Sequence, residues 1–384
     1  MTQLETLIQT LCPNGVKFVK LGEVVKVLRG KRLTKSDLLS EAQYNVYHGG
    51  IEPLGKYNEA NREGNTVMVI NVGASAGAVG FSKDAFWSSD GCFCLSKTDL
   101  VDSKFLYYYL LTQEKHLQSK VRRAGIPTLD SLVIENLQIP LPPLAVQSEI
   151  VRVLDKFTLH KAELAAELAA RLQQYEYYRN QLLTFDDTVK RVKLGEVFDT
   201  RNGYTPSKNN SEYWESGTIP WFRMEDIRAN GRILYDSIQH VTPAAVKKIF
   251  PRNSIILATS ATIGEHALIK VDFLSNQRFT CCTLKEKYRD LFDIKFLFYY
   301  FFIIDEWCKS HIKLGNFSSV DMDALYSYLI PLPPLSEQER IVSILDRFDK
   351  LCHDIREGLP AEIDLRQKQY EHYRDKLLTF EAKG

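Results

Sequence analysis

The chain has 384 residues, a length that suggests two or three domains, each able to bury a core of its own. Hydrophobic residues make up 45% and charged residues 25%, which is ordinary for a globular protein, and no apolar run is long enough to span a membrane. The net charge is only +1, so a DNA-binding surface would have to be local and balanced by acidic residues elsewhere.

The first half of the chain predicts a mixed α+β domain, which we place at residues 1–143. Short apolar runs at 66–72 and 92–95, bounded by turn residues, are typical of buried strands, and a run rich in Leu and Tyr at 103–118 predicts a helix. The seven cysteines form no CxxC pair, and we interpret Cys92 and Cys94 as small buried hydrophobic residues. Because residues 1–10 also lack a signal-peptide pattern, we expect a reducing, cytoplasmic location.

Two basic clusters in this half are candidate contacts if the chain binds DNA. The first is Arg29-Gly30-Lys31-Arg32, in which the glycine would allow the backbone to approach DNA closely. The second consists of Lys120, Arg122 and Arg123. Lysine and arginine hold DNA phosphates, whereas specific reading needs side chains at base edges. The alternative interpretation is that these side chains are only solvated.

A proline-rich phrase, Ile139-Pro140-Leu141-Pro142-Pro143-Leu144, must be extended, because proline fixes φ and restricts the residue before it. A long helix is predicted to follow, at 144–188. Its bulky residues recur about every 3.5 positions, as in a coiled-coil seam. The seam residues are Ile150, Leu154, Phe157, Leu164, Leu168, Tyr175 and Tyr178. Taken alone, this spacing favours pairing of helices, either within the chain or in a homodimer.

Inside this helix, residues 161–172 form three tandem four-residue units of strong helix formers, each ending in leucine. One unit more or fewer would change the helix length by about 6 Å and rotate its end by roughly 40°. We therefore predict that this segment acts as a ruler between whatever the two globular domains hold.

The second half repeats the first. Lys20–Val24 returns as Lys193–Val197 at an offset of 173, and the apolar run 68–70 returns as 255–257 at an offset of 187, so the second copy gains 14 residues between these markers. Apolar runs at 254–259 and 278–284 predict strands, and 290–310 predicts a helix. We place a second mixed domain at 189–334.

Candidate DNA contacts in this half lie in its polar and basic loops. Asn276, Gln277 and Arg278 offer amide and guanidinium groups suited to adenine or guanine edges. Trp214 and Trp221, in the gained segment, are interpreted as core residues in preference to base-stacking ones. The complete set is Arg201, Asn202, Gly203, Tyr204, Lys208, Arg223, Asn276, Gln277, Arg278, Lys313 and Asn316.

The proline-rich phrase returns at 330–335, an offset of 191, and predicts a second long helix at 335–384. Ser336 and Glu339 have the spacing of a capping box, and Gly358-Leu359-Pro360 should interrupt the helix near 358–360. Its seam residues are Ile341, Leu345, Phe348, Tyr370 and Tyr373. Because the helical ends are nearly identical while the globular parts diverge, we predict a common docking surface and two different reading surfaces.

These elements, in this order and duplicated, closely resemble the specificity subunit of Type I restriction–modification enzymes. The resemblance is carried by the opening Leu11–Val16, the doubled Ile-Pro-Leu-Pro-Pro-Leu, the tetrapeptide units, and the Tyr-Glu-x-Tyr-Arg-x-x-Leu-Leu-Thr-Phe ends at 175–185 and 370–380. It covers essentially the whole chain. It implies an α+β fold with two target-recognition domains in pseudo-two-fold arrangement, separated by two long antiparallel coiled-coil helices.

The resemblance also implies a function. Each domain would read one half of a bipartite asymmetric site in double-stranded DNA, and the helices would dock two methyltransferase subunits and, through them, restriction/translocase subunits. The chain would be a non-catalytic targeting subunit that binds no cofactor, while its partners would use S-adenosylmethionine, ATP and Mg²⁺.

Two other classes of protein are weighed against this one. A coiled-coil interaction or scaffold protein without DNA reading would explain the helices but not two divergent globular halves. An enzyme acting alone is disfavoured because no Asn/Asp-Pro-Pro-aromatic methyltransferase loop is present and the eight histidines have no metal-ligand spacing. A phosphate-loop-like spacing at 50–57 has Tyr57 where Ser or Thr would bind Mg²⁺.

Overall fold

The computed structural model describes residues 3–313, 318–354 and 357–383. Contacts divide the chain into two compact units, the first formed by Met1–Leu164 with Ile363–Gly384 and the second by Ala165–Glu362. Each unit contains a mixed α+β body and parts of both long helices, which confirms the predicted fold class. The boundaries predicted at 143, 188 and 334 stay predictions, because this grouping divides the helices themselves.

The first unit is built from short strands and helices, followed by the first part of one long helix, which continues into the second unit. They are α1 (Gln3–Leu11), β1 (Phe18–Lys20), α2 (Leu21–Val24), β2 (Val27–Arg29), β3 (Tyr44–Tyr47), β4 (Gly55–Tyr57), β5 (Thr66–Ile70), β6 (Val79–Ser82), β7 (Phe86–Ser88), β8 (Cys92–Leu95), α3 (Ser103–Thr112), α4 (Glu114–Ser119), α5 (Ser131–Glu135), β9 (Gln138–Pro140) and α6 (Leu144–Leu182). The predicted strands are β5 and β8, and the predicted helix at 103–118 is divided into α3 and α4.

A four-stranded antiparallel sheet in the order β2-β8-β5-β6 forms the centre of this unit, beside a three-stranded sheet in the order β4-β3-β7. Every residue of β5 and β8 is buried, as their continuous apolar sequences require, and Cys92 and Cys94 are among them. Helix α3 packs its apolar face on this sheet, and Asp102 caps the helix by accepting from the backbone N–H groups of Lys104 and Phe105.

The second unit repeats this plan with additions. Its elements are β10 (Arg191–Lys193), α7 (Leu194–Val197), β11 (Phe198–Asn202), β12 (Ile219–Phe222), α8 (Met224–Asn230), β13 (Ile233–Leu234), β14 (His240–Val241), β15 (Ser254–Ala258), β16 (His266–Ile269), β17 (Leu274–Ser275), β18 (Phe279–Leu284), α9 (Ile294–Ser310), β19 (Ile312–Lys313), β20 (Ser319–Val320), α10 (Met322–Ser327), β21 (Leu329–Pro331), α11 (Leu335–His353) and α12 (Leu359–Leu377), of which α12 continues into the first unit.

The segment gained by the second half has a structural counterpart. The central sheet here has five strands in the order β11-β18-β15-β16-β13, and the extra strand β13 pairs parallel with β16 after the extra helix α8. In the first unit the corresponding sheet ends at β6. The gained segment therefore widens the second body at one edge and leaves the shared plan intact.

In both units the start of the long helix is fastened to the body by the same contacts, which we call the glutamine anchor. Gln147, fully buried, donates to the carbonyls of Pro142 (2.7 Å) and Leu100 (3.2 Å) and accepts from the N–H of Asp102 (2.8 Å). Gln338, also fully buried, makes the equivalent bonds to Pro333 (2.8 Å), Leu291 (2.9 Å) and Asp293 (2.9 Å). The two sets of residues are related by the same offset as the two proline-rich phrases.

A second repeated contact lies two turns further along each helix. Asp155 accepts from the Lys104 ammonium at 2.5 Å and from the Tyr108 hydroxyl at 2.7 Å. In the second unit, Asp346 accepts in the same way from the Lys295 ammonium (2.6 Å) and the Tyr299 hydroxyl (2.7 Å). Polar contacts at identical spacing thus fix each helix to its own body, independently of the diverged loops.

Within each unit the two long helices run antiparallel. In the first, Phe157 of α6 stacks on Tyr373 of α12 (5.3 Å between ring centroids), and Lys161 donates to Gln367. In the second, Tyr178 of α6 stacks on Phe348 of α11 at 5.8 Å between ring centroids. Tyr175, which comes earlier in α6, contacts His353, which comes later in α11, as antiparallel helices require.

The second long helix is interrupted, as predicted: α11 ends at His353 and α12 begins at Leu359. Pro360 lies in the first turn of α12, where a missing N–H costs nothing. The capping-box prediction at Ser336 is wrong. Helix α11 begins at Leu335 with Pro334 as its N-cap, so Ser336 already lies inside the helix.

The last described residues return to the first unit. The N–H of Val16 donates to the carbonyl of Glu381 (2.8 Å), and the N–H of Lys383 donates to the carbonyl of Val16 (2.9 Å). Leu378 is buried in the core of this unit, and Tyr370 and Phe380 pack against that core. In the three stretches that the structure describes, no helix is both long and apolar enough to cross a membrane.

Candidate nucleic-acid interface

A cleft of about 490 Å³ in the first unit gathers polar residues from separate parts of the sequence. Arg29, the last residue of β2, lines it together with Arg32 and Lys35 from the segment that follows. His48 and Asn71 come from the segments after β3 and β5, which the sequence separates widely from those cations. The three cations are exposed, and none of their side chains makes a hydrogen bond or ion pair with another described residue. They are therefore available for an anionic ligand.

The second predicted cluster of this unit approaches the same cleft from another side. Arg122 and Thr128 exchange backbone hydrogen bonds (2.9 and 3.0 Å), which closes the loop between them, and Thr128 lines the cleft. Arg123 lies exposed in that loop without a side-chain partner among the described residues. Lys120 lies instead along a different groove of about 700 Å³. The fold thus brings the Arg122 loop, but not Lys120, to the cleft lined by Arg29.

The two loop glycines have a role within the chain, and their predicted role at DNA stays a prediction. A Cβ on Gly30 would lie 2.0 Å from the carbonyl oxygen of Ser89, and one on Gly203 would lie 2.3 Å from those of Ser275 and Asn276. Glycine is needed at both places because two segments of the same chain cross there. Lys31, next to Gly30, is exposed, and its carbonyl accepts from the indole of Trp87 at 2.8 Å.

In the second unit several predicted contacts are occupied within the chain. Arg201 donates to the carbonyls of Lys248 (3.0 Å) and Ile249 (3.1 Å), and its guanidinium lies 4.1 Å from the ring centroid of Phe250. The hydroxyl of Tyr204 donates to the carbonyl of Ala245 (2.9 Å). Both side chains therefore shape the 245–250 loop, and their predicted contact with DNA stays a prediction.

Two other predicted residues of this unit are also engaged. Asn202 accepts from the hydroxyl of Thr280 at 2.9 Å. Arg223 is half-buried beside Trp221 (5.5 Å to the ring centroid) and lies 3.8 Å from Glu225. Trp221 is buried and packs edge-on against Trp214 (4.9 Å). The interpretation as a core residue is right for Trp221, whereas Trp214 is only partly buried at the edge of that core.

Lys313 pairs with Asp321 (2.8 Å) and Asp323 (3.4 Å), and the hydrogen bond to Asp321 chiefly raises the pKa of the lysine. Its charge is therefore largely balanced, which weakens it as a phosphate contact. Asn316 lies outside the described residues.

The remaining candidates are polar residues at or near the surface. Lys208 and Arg278 are exposed, and their side chains make no hydrogen bond or ion pair with other residues that the structure describes. Gln277 is exposed and accepts from the hydroxyl of Thr205 at 2.5 Å, while Asn276 accepts from the N–H of Arg278 (3.1 Å) and shapes that turn. Lys208, Gln277 and Arg278 are the predicted residues of this unit best placed to contact DNA.

Sequence reasoning missed several residues of these surfaces. Lys247 and Lys248 are exposed, and the N–H of Lys247 donates to the Tyr204 hydroxyl at 2.7 Å. Their adjacency was visible in the sequence as a basic pair. His48 and Asn71 gave no such signal, because only the folding of separate strands brings them to the Arg29 loop.

The seam residues also need a correction as docking contacts. Six of them are buried in their own units and cannot touch another subunit. The interpretation of the seam as pairing of helices within the chain is therefore right. These six are Ile150, Leu154, Leu164, Tyr175, Ile341 and Leu345. Leu168, Phe348 and Tyr370 pack at the edges of those cores, and Phe157, Tyr178 and Tyr373 stack against aromatic partners in their own units. A docking surface would therefore lie on the outward faces of the helices.

No group of three or more His, Cys, Asp and Glu in the described part of the chain is arranged to hold a metal ion.

Comparisons with known proteins agree with this picture. The family described as the Type I restriction modification DNA specificity domain matches twice, at residues 13–174 and 186–365. The EcoprrI specificity subunit of Escherichia coli is 54% identical over 201 residues, which are 50% of this chain and 50% of that relative. The EcoR124I/EcoR124II specificity subunit of Escherichia coli is 40% identical over 298 residues, covering 72% of this chain and 70% of that relative.

A solved structure shows the same fold. The S subunit of a Type I restriction–modification system from M. genitalium matches with a TM-score of 0.58 and 17% identity, over 95% of this chain and 96% of that chain. At this identity the likeness speaks for the fold alone.

Proposed function

Because the chain belongs to the family of Type I restriction–modification DNA specificity subunits, we propose that each of its units reads one half of a bipartite, asymmetric DNA site. Subunits of this kind are targeting components and not catalysts. The outward faces of the long helices would dock two methyltransferase subunits and, through them, restriction/translocase subunits. Those partners would bind S-adenosylmethionine, ATP and Mg²⁺, whereas this chain would bind no cofactor.

One observation carries the proposal. The glutamine anchor and the Lys–Tyr–Asp contacts are the same in both units, while the free cations and amides at the loops differ. Arg29, Arg32 and Lys35 are presented by the first unit, and Lys208, Gln277 and Arg278 by the second. A protein that reads two different half-sites from two equivalent supports needs this combination, and a scaffold protein does not.

Base-resolution mapping of methylated adenines in cells that express this chain with its methyltransferase subunit tests the proposal. We expect a split, non-palindromic motif that disappears when this chain is deleted. Binding of the purified complex to that motif should weaken steeply with salt, since each phosphate contact releases counterions. A folded complex that methylates no defined motif would contradict the proposal.

Inserting one Ala-Ala-Glu-Leu unit after Leu168 should lengthen the unread spacer by about one base pair and leave both half-sites unchanged. The insertion adds about 6 Å to α6 and returns leucine close to its original face. Leu164 and Leu168 are the inward residues of this segment, and most residues between them are exposed. Motif mapping measures the result, with the length-preserving Glu167→Gln as the control. A changed half-site would contradict the ruler.

Arg201→Ala should weaken methylation at the cognate motif about tenfold and relax only the second half-site. The substitution removes two charge-assisted hydrogen bonds and the contact with Phe250, so the loop carrying Lys247 and Lys248 loses its support. Arg201→Lys keeps the charge but not the planar fork, and should give an intermediate loss. Mapping the methylated motif measures the sequence preference of each half-site separately. Relaxed preference in the first half-site would contradict the prediction.

A further inference from the structure

Asn71 occupies an unusual position in the cleft of the first unit. It follows β5, lines the cleft, and is 8% exposed. Its Nδ2 donates to the carbonyl of Asp90 at 3.3 Å, but its Oδ1 has no hydrogen-bond partner. Buried amide oxygens in folded proteins nearly always have a partner, so the donor to this one is a group that the described residues do not supply.

The second unit shows that the fold does not require an acceptor without a hydrogen-bond partner at this position. Thr259 follows β15 as Asn71 follows β5, which places the structural counterpart one residue later than the offset of 187 read from the sequence. The carbonyl of Thr259 accepts from the N–H of Val320 (2.9 Å), and the carbonyl of Asn71 accepts from the N–H of Leu129 (2.9 Å). The hydroxyl groups of Thr259 and Thr280 share a hydrogen bond of 2.9 Å. The unpartnered acceptor is therefore a property of the first unit, where the reading surface differs.

Asp90 is the other strong acceptor in the cleft, and it is partly engaged. Its Oδ1 accepts from the hydroxyl of Ser89 (3.1 Å) and lies 3.3 Å from the Nδ1 of His48. Arg29, Arg32 and Lys35 are donors only. A ligand that brings both phosphate oxygens and a hydrogen-bond donor would match the free cations together with the free amide oxygen.

Resting on the proposed function, we propose that Asn71 accepts a hydrogen bond from the exocyclic amino group of one base in the first half-site, the N6 of adenine or the N4 of cytosine. Arg29, Arg32 and Lys35 hold the neighbouring phosphates. In the major groove adenine and cytosine present an amino donor, whereas guanine and thymine present a carbonyl oxygen. An acceptor at Asn71 therefore selects amino-bearing bases and rejects the other two at that position.

Adenine would be held more completely than cytosine. The amide has a second Nδ2 hydrogen beyond the one given to Asp90, and adenine offers its N7 as an acceptor beside the amino group. Cytosine would be held by its amino group alone.

The test uses the full chain in complex with its methyltransferase subunits and duplexes of the mapped motif. Each adenine of the first half-site, one at a time, is replaced by purine, and each cytosine by 2-pyrimidinone, which lack the amino group. At one position the replacement should weaken binding by the wild-type complex about 5- to 150-fold. Asn71→Ala should bind the normal duplex more weakly and show less than about twofold further loss from the same replacement.

Asn58→Ala, at an exposed position that does not line the cleft, is the matched control and should keep the full discrimination. If Asn71→Ala does not fold, the isosteric Asn71→Asp, which keeps an acceptor, should still prefer amino-bearing bases at that position.

The inference is overturned if every amino group of the first half-site can be removed without loss, or if Asn71→Ala discriminates as the wild type does. Failure of the proposed function would look different, because the wild-type complex would then have no split motif to analyse. The analogue scan identifies which of the two bases is read.

Discussion

Gly30→Ala should destabilise the first unit by about 3 kcal/mol or more and abolish methylation at the split motif. The new methyl group would lie 2.0 and 2.4 Å from the carbonyl oxygens of Ser89 and Ser88, so the backbone segments must separate. The bond from the N–H of Lys31 to the carbonyl of Ser88 (2.9 Å) and the Trp87 indole bond would be lost with them. The Arg29 and Arg32 side chains would then leave their places in the cleft.

Two comparisons make this prediction specific. Gly203→Ala should have a similar effect on the second unit, where the methyl group would lie 2.3 Å from two backbone oxygens. Gly50→Ala should be close to neutral, because no atom lies within 4 Å of the place that its methyl group would take. Hydrogen exchange of each unit, with chemical denaturation, measures the effects. If Gly30→Ala were as stable as the wild type, the segments around Gly30 and Ser89 could separate without loss of stability, and the prediction would be wrong.

Gln147→Ala should lower the free energy of unfolding of the first unit by about 3 kcal/mol, and Gln338→Ala should do the same in the second. Each substitution removes a fully buried side chain with three hydrogen bonds and leaves an N–H and two carbonyls without their partner. Gln173→Ala, at an exposed site on α6, should change stability by less than about 0.5 kcal/mol.

The functional consequence follows from what the glutamine anchor joins. With one anchor removed, the helix is less firmly fixed to its body, so motifs with spacers one base pair longer or shorter should be methylated more readily, while both half-sites keep their sequence. Spacer-library methylation measures this. Equal tolerance in Gln147→Ala and in Gln173→Ala would show that the anchor contributes stability alone.

The repeat made most of the fold predictable. Predominantly apolar runs became β5, β8, β15 and β18, because strands covered on both faces are largely apolar, and the polar Thr280 within β18 is buried with them. The proline-rich phrases became extended segments ending where α6 and α11 begin. The gained segment was visible as a change of offset, but its form, a helix and an added edge strand, depends on pairing with β16 that no local pattern specifies.

The binding surface was less predictable, because charge alone does not show what a side chain contacts. Arg201 and Arg29 look alike in sequence, yet the first supports a loop through Phe250 and the second is free. Gly30 was interpreted as allowing DNA to approach the backbone. The structure shows a close approach of two segments of the chain itself at Gly30 and at Gly203. Gln147 and Asp155 belonged visibly to the repeat, but their polar partners are distant in the sequence and only the structure connects them.

The return of the last residues to the first unit reverses the usual order of folding during synthesis. The second unit is contiguous, from Ala165 to Glu362, and its segments emerge together. The first unit needs Leu378, which is buried in its core, and the residues that bond to Val16. At about 5–20 residues per second, roughly 10–40 s separate the emergence of Leu164 from that of the segment that completes its unit. The part made first is therefore the part finished last, and its exposed core has to be kept from aggregation in the meantime.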